Sequence, residues 1–103
     1  MVVVVAGDVV RLDEPANLEA FKVVVEKGTE FQVMQALAQI GRMADRDTAW
    51  IRADAVRIMA AGRVAQDWTE QFQGVLAYAA TKGWLSDDGS EVRAHIEWAS
   101  PGP

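Results

Sequence analysis

The chain has 103 residues, half of them hydrophobic and about a quarter charged, which suits one globular domain able to bury its own core. It contains no cysteine, so disulfides, thiolate chemistry and cysteine-held zinc are excluded, and its net charge of −5 argues against a surface built for phosphate backbones. The deficit is shared: residues 1–50 carry five basic and eight acidic side chains and residues 51–103 carry five and seven, so neither half is basic.

Val2–Val5 and Val9–Leu12 are β-branched runs separated by Ala6-Gly7-Asp8, and they read as two short strands or a hairpin. The first run is too short to span a membrane, and no basic segment precedes it. No secretory or transmembrane segment and no membrane partner are expected, and the cysteine-free composition fits a cytoplasmic setting. If Val2–Val5 lay on a sheet edge, it would invite pairing with a second copy.

Asp13-Glu14-Pro15 sets up a helix start, and Leu18, Phe21, Val24 and Val25 recur at helical spacing up to Gly28. The run Val23-Val24-Val25 pulls locally toward strand. Thr29 can cap a second helix, over Thr29–Ala44, whose broad apolar face includes Val33, Leu37, Ile40 and Ala44 and which ends at Asp45-Arg46-Asp47.

Asp47 or Thr48 opens a third helical pattern, with Ile51, Ala55, Ile58, Met59 and Gly62 on one face. Within it, Ala49-Trp50-Ile51 reads as a short extended piece leading into a helix over Arg52–Ala61. Asp67 caps the last helix, where Trp68, Phe72, Val75, Leu76 and Ala79 make the cleanest amphipathic stripe, and Gly83 closes it.

A hairpin follows. With Asp88-Gly89 at the turn, Asp87 pairs with Ser90, Ser86 with Glu91, Leu85 with Val92 and Trp84 with Arg93. Leu85, Val92, Ala94, Ile96 and Trp98 then share a core face, and Trp84, Arg93, His95 and Glu97 share the other. Ser100-Pro101-Gly102-Pro103 reads as a frayed tail.

The order helix, short strand, helix, helix, hairpin over residues 29–98, and above all Gly83-Trp84-Leu85, Asp88-Gly89 and Val92–Trp98, resembles the winged-helix superfamily. The resemblance implies a single α+β domain: three to four helices with a small antiparallel sheet that includes the C-terminal β-hairpin and the N-terminal strands. It makes 67–82 a recognition helix and 84–98 a wing, preceded by strands and a helix in residues 1–28 and followed by a tail at 99–103. In that frame Thr69, Gln71 and Gln73 would read bases, and Arg52, Arg57, Arg63, Lys82 and Arg93 would hold phosphates. Charge opposes this use, because the helix opens with Asp67 and Glu70 and the tip carries Asp87, Asp88 and Glu91.

No catalytic, metal or cofactor site is expected. His95 is the single histidine, so no multi-histidine metal cluster is possible, and Ser86, His95 and Asp88 lie along one hairpin without a nucleophile elbow. Asp87, Asp88 and Glu91 fit turn chemistry better than a calcium loop. Four tryptophans are many for this length; Trp68 belongs to a core stripe, while Trp50, Trp84 and Trp98 near element ends are candidate partner contacts. The expected function is therefore a small non-catalytic regulatory or protein-interaction module that contacts another protein or itself as a homo-oligomer. DNA binding is the second expectation. A small-ligand binder or enzyme would require a pocket the pattern does not reveal.

Overall fold

In the computed structural model, which describes residues 1–99, the valine-rich start folds as a hairpin of β1 (Val2–Ala6) and β2 (Val9–Asp13), with Ala6 opposite Val9. The expected tail at Ser100–Pro103 lies outside the described residues. The elements that follow are β3 (Lys22–Lys27), α1 (Glu30–Leu37), β4 (Gly41–Asp45), β5 (Thr48–Arg52), α2 (Ala53–Ala60), α3 (Trp68–Thr81) and β6 (Glu91–Trp98).

The six strands form one mixed sheet in the order β2-β1-β3-β6-β5-β4. The pairs β1–β3 and β3–β6 are parallel, and the others are antiparallel. This corrects the expected small antiparallel sheet: the domain is α+β with three helices, but its sheet is large, mixed and drawn from both ends of the chain. Nothing in this architecture identifies a winged-helix relationship.

Three differences produce the change. Residues 22–27 are the central strand β3, although Leu18, Phe21, Val24 and Val25 recur at helical spacing. With β1 on one side and β6 on the other, Val23 and Val25 are fully enclosed, and their β-branched stiffness suits that pleated position. Second, α1 stops at Leu37, and residues 41–45, read as the end of a long helix, return as β4. Third, the second arm of the C-terminal hairpin is no free wing. β6 lies in the middle of the sheet, flanked by β5 on one side and by β3 and Leu85, end to end, on the other.

The local register around the turn is the one expected: Leu85 pairs with Val92, Ser86 N–H donates to Glu91 C=O at 2.9 Å, and Arg93 N–H to Trp84 C=O at 2.8 Å. Residues 84–86 contribute only this isolated bridge and no full strand, because β3 already occupies the same side of β6 from His95 onward.

α1 touches β4 but also β1 and β2, and α2 touches both β2 and β5. Helices of eight residues, about 12 Å long, reach both ends of the strand order only if the sheet curls around them. The concave side holds the core, with Val3, Val5, Leu12, Val23, Val25, Ala49, Ile51, Ala94 and Ile96 facing Val33, Leu37 and Val56 from the helices. Each such Val, Leu or Ile contributes roughly 1.5–3 kcal/mol by leaving water. The α2 stripe differs from the expected one: the helix starts at Ala53, which turns Val56 and Ala60 inward and leaves Ile58 75 % exposed.

Helix ends follow local chemistry. Thr29 caps α1 in a reciprocal box, its hydroxyl accepting from Gln32 N–H at 3.2 Å while the Gln32 amide oxygen accepts from Thr29 N–H at 2.9 Å. Asp67 does not cap α3 through its side chain; the carboxylate accepts instead from the Gln71 side-chain amide. The other end of α3 is closed by Gly83 at φ +76°, with Gly83 N–H bonded to Ala80 C=O and Trp84 N–H to Ala79 C=O at 2.9 Å.

Candidate interaction surfaces

The convex side of the sheet is bare of helices. Arg11 bridges Asp13 and Glu26, Lys22 pairs with Glu97 at 3.1 Å, and Arg42 pairs with Glu91 at 3.1 Å. Arg11 and Glu26 flank Val4, which is 4 % exposed although it points away from the helices. Exposed pairs of this kind are screened by solvent and add little to stability, so they mainly keep this face polar.

Two places break the pattern of paired charge. One is a cleft of about 370 Å³ lined by Phe21, Thr48, Trp84, Arg93 and His95. Trp84 is 42 % exposed, sits edge-on to Tyr78 at 6.0 Å, and is held from both sides by its backbone bonds to Ala79 and Arg93. The second is a groove of about 410 Å³ between α1 and β4, lined by Phe31, Met34 and Met43 and rimmed by Glu30, Asp45 and Arg46. Phe31 and Met34, one turn apart on α1, are 61 % and 47 % exposed.

The three tryptophans expected at an interface take different roles. Trp84 is the most exposed of them, Trp50 and Trp98 being partly buried. Trp50, half-buried on the convex face, has the Arg42 guanidinium 5.5 Å from its ring and Arg93 as its cross-strand partner. Trp98 packs against the core, donates its indole N–H to Arg46 C=O at 2.9 Å, and carries the Arg46 guanidinium 4.5 Å above its ring. Arg46 also pairs with Glu30 at 3.3 Å, so Trp98 braces the β4–β5 turn at the end of the α1 groove.

The expected phosphate contacts engage five different sets of neighbours. Arg52 donates to Gln39 C=O at 2.7 Å, Arg57 lies between Asp54 and Gln73, and Arg63 donates to Met59 C=O. Lys82 lies 5.5 Å from the Tyr78 ring, and Arg93 opens onto the cleft. Of the base-reading candidates, Thr69 is exposed, while the Gln71 and Gln73 side chains are engaged by Asp67 and Arg57.

The hairpin tip is organised by Asp88, whose carboxylate accepts from Ser86 Oγ and Ser90 Oγ, both at 2.7 Å, and from Ser90 N–H at 3.0 Å. These bonds, led by the Ser90 hydroxyl, hold its pKa at about 2. The folded state thus binds a proton there less readily than the unfolded chain. The contribution to stability is complete above the ordinary carboxylate value and is lost as pH falls through about 2. NMR titration of the Asp88 carboxyl is expected to give a midpoint near 2; a midpoint near 4 would show that the serine contacts do not persist in solution.

On α1, Met34 lies about 80° and Phe31 about 140° from the centre of the Val33–Leu37 stripe, so helical period leaves both outside the buried face. What the sequence hides is that β4 borders them to make a groove.

The chain matches no protein-family model, no curated protein and no solved structure. Among the described residues no helix is long and apolar enough to cross a membrane.

Proposed function

We propose that this chain is a small non-catalytic protein-interaction module that pairs with a second copy of itself through β4 and the groove beside it. The supporting observation is the exposure of Phe31 and Met34 along a groove that borders a strand hydrogen-bonded to a neighbour strand on one side only. An edge strand offers unpaired N–H and C=O groups, and an adjoining apolar groove takes the side chains of whatever strand adds to it.

The charges of β4 suit a two-fold partner. Antiparallel pairing of two β4 strands about an axis between Met43 and Ala44 sets Arg42 of each copy opposite Asp45 of the other. Their cross-strand partners on β5, Trp50 and Thr48, both lie on the convex face, so the opposed charges also share a face. Arg42 is paired with Glu91 within its own chain, as Arg11 on the opposite edge β2 is with Asp13 and Glu26, so the feature that favours β4 is the apolar groove beside it and not a free charge.

Sedimentation equilibrium is expected to show a concentration-dependent dimer in the micromolar range, and Met34→Lys is expected to return it to a monomer whose unfolding midpoint matches that of the wild-type chain measured below the dimerisation range. A wild-type chain that stays monomeric at several hundred micromolar would exclude self-pairing.

A further inference from the structure

The cleft on the convex face has the makings of a second, independent site. Its floor is three residues of the β5–β6 ladder: Arg93 and His95 stand two residues apart on one face of β6, and Thr48 is the cross-strand partner of His95. Its walls are the rings of Phe21 and Trp84. The volume of about 370 Å³ falls within the range of small-molecule sites and holds one or two fused rings.

Arg93 is the decisive residue. Arg11, Lys22 and Arg42 on the same face are each matched to a carboxylate, and Arg52 is bonded to a carbonyl. Arg93 makes no ion pair and no side-chain hydrogen bond among the described residues, and it faces into the cleft beside two aromatic rings. A guanidinium in that state is a free planar fork for an anion, with the Thr48 hydroxyl and the His95 ring as further hydrogen-bonding groups. Trp84 is exposed, yet its backbone is fixed at both ends by hydrogen bonds, so little ordering opposes stacking on it.

We propose that this cleft binds a small planar aromatic carboxylate, its ring against Trp84 and Phe21 and its carboxylate on the Arg93 guanidinium. The probe is 2-naphthoate, followed by ¹H–¹⁵N NMR and by tryptophan fluorescence of the full chain. Saturable shifts are expected at Thr48, Trp84, Arg93 and His95, with a dissociation constant on the order of 1 mM or tighter. Arg93→Gln, at an exposed position that leaves the NMR dispersion intact, is expected to weaken binding about tenfold or more. Cyclohexanecarboxylate, which keeps the charge and loses the flat ring, is expected to bind several-fold more weakly. Failure of 2-naphthoate to saturate below about 10 mM would overturn the proposal, as would equal binding by Arg93→Gln. Tighter binding of adenosine 5′-monophosphate than of 2-naphthoate would overturn the carboxylate assignment in favour of a phosphate.

Discussion

Replacing Gly41 with alanine is expected to destabilise the domain by about 3 kcal/mol or more, a large part of the ~5–15 kcal/mol that holds a domain of this size together. A Cβ built on Gly41 overlaps the Trp50 carbonyl oxygen and lies 2.9 Å from Ile51 Cα and 3.0 Å from the Trp50 carbonyl carbon. All three obstacles are backbone, so no rotamer change relieves them. Relief requires β4 to move off β5, breaking the Gly41–Ile51 pairing and straining the nearby bond from Arg52 N–H to Ile40 C=O at 2.8 Å. Urea unfolding should show a lower midpoint, and thermal unfolding a fall of about 12–24 °C. A change below about 1 kcal/mol would mean that the β4–β5 approach is looser in solution. Since Gly41 begins β4, the same variant should weaken the proposed dimer while lowering the stability of the monomer, whereas Met34→Lys should lose the dimer with monomer stability intact.

Trp68→Ala is expected to cost about 3–5 kcal/mol. The indole is 4 % exposed, stacks on Phe72 with ring centroids 4.8 Å apart and planes 11° apart, and donates its N–H to Pro15 C=O at 2.7 Å. It is therefore both a core ring of α3 and the clasp that ties α3 to the connection between β2 and β3. Alanine removes the ring and orphans the Pro15 carbonyl. Trp68→Phe keeps an aromatic ring and loses the hydrogen bond, so it should cost about 1–2 kcal/mol. Comparable losses for the two variants would show that packing contributes little here, against the burial seen at this site.

The parts of the fold legible in the sequence are those governed by neighbours in the chain. The stripe of Trp68, Phe72, Leu76 and Ala79 is buried as its 3.6-residue period requires, and Gly83 ends that helix in the left-handed conformation. Thr29 caps α1, and the N-terminal valine runs form their hairpin. Residues 15–28 and 38–45 misled for a physical reason: Val24 and Val25 with Leu18 and Phe21, or Ile40 and Ala44 with Val33 and Leu37, satisfy a helical period by coincidence. Which period governs is decided by whether a strand position is waiting for them.

The candidate sites were less legible. Arg93 and Trp84 could be placed on one hairpin face, but the expected phosphate-binding set of five cations gave no hint that Arg93 would open onto a cleft while Arg57 was matched by Asp54. The cleft also needs Phe21 and Thr48, which reach it through the β3–β6 and β5–β6 pairings, far apart in sequence. Helical period sets Phe31 and Met34 off the Val33–Leu37 stripe, but that β4 forms the other wall of their groove is not local information.

By itself the sequence determined a single cysteine-free acidic chain with one strong amphipathic helix, a tight Asp88-centred turn and two β-branched runs at its start. These follow from local torsional preference, capping and apolar period, which need no distant partner. Only the tertiary structure decided that β6 would be central, that β3 would insert between it and β1, and that the sheet would curl to leave one convex face bare. Those choices rest on two parallel pairings, β1 with β3 and, between residues more than seventy positions apart, β3 with β6, as in Val23 with Ile96. Their free energy comes from burying both strands together, and no local pattern records it.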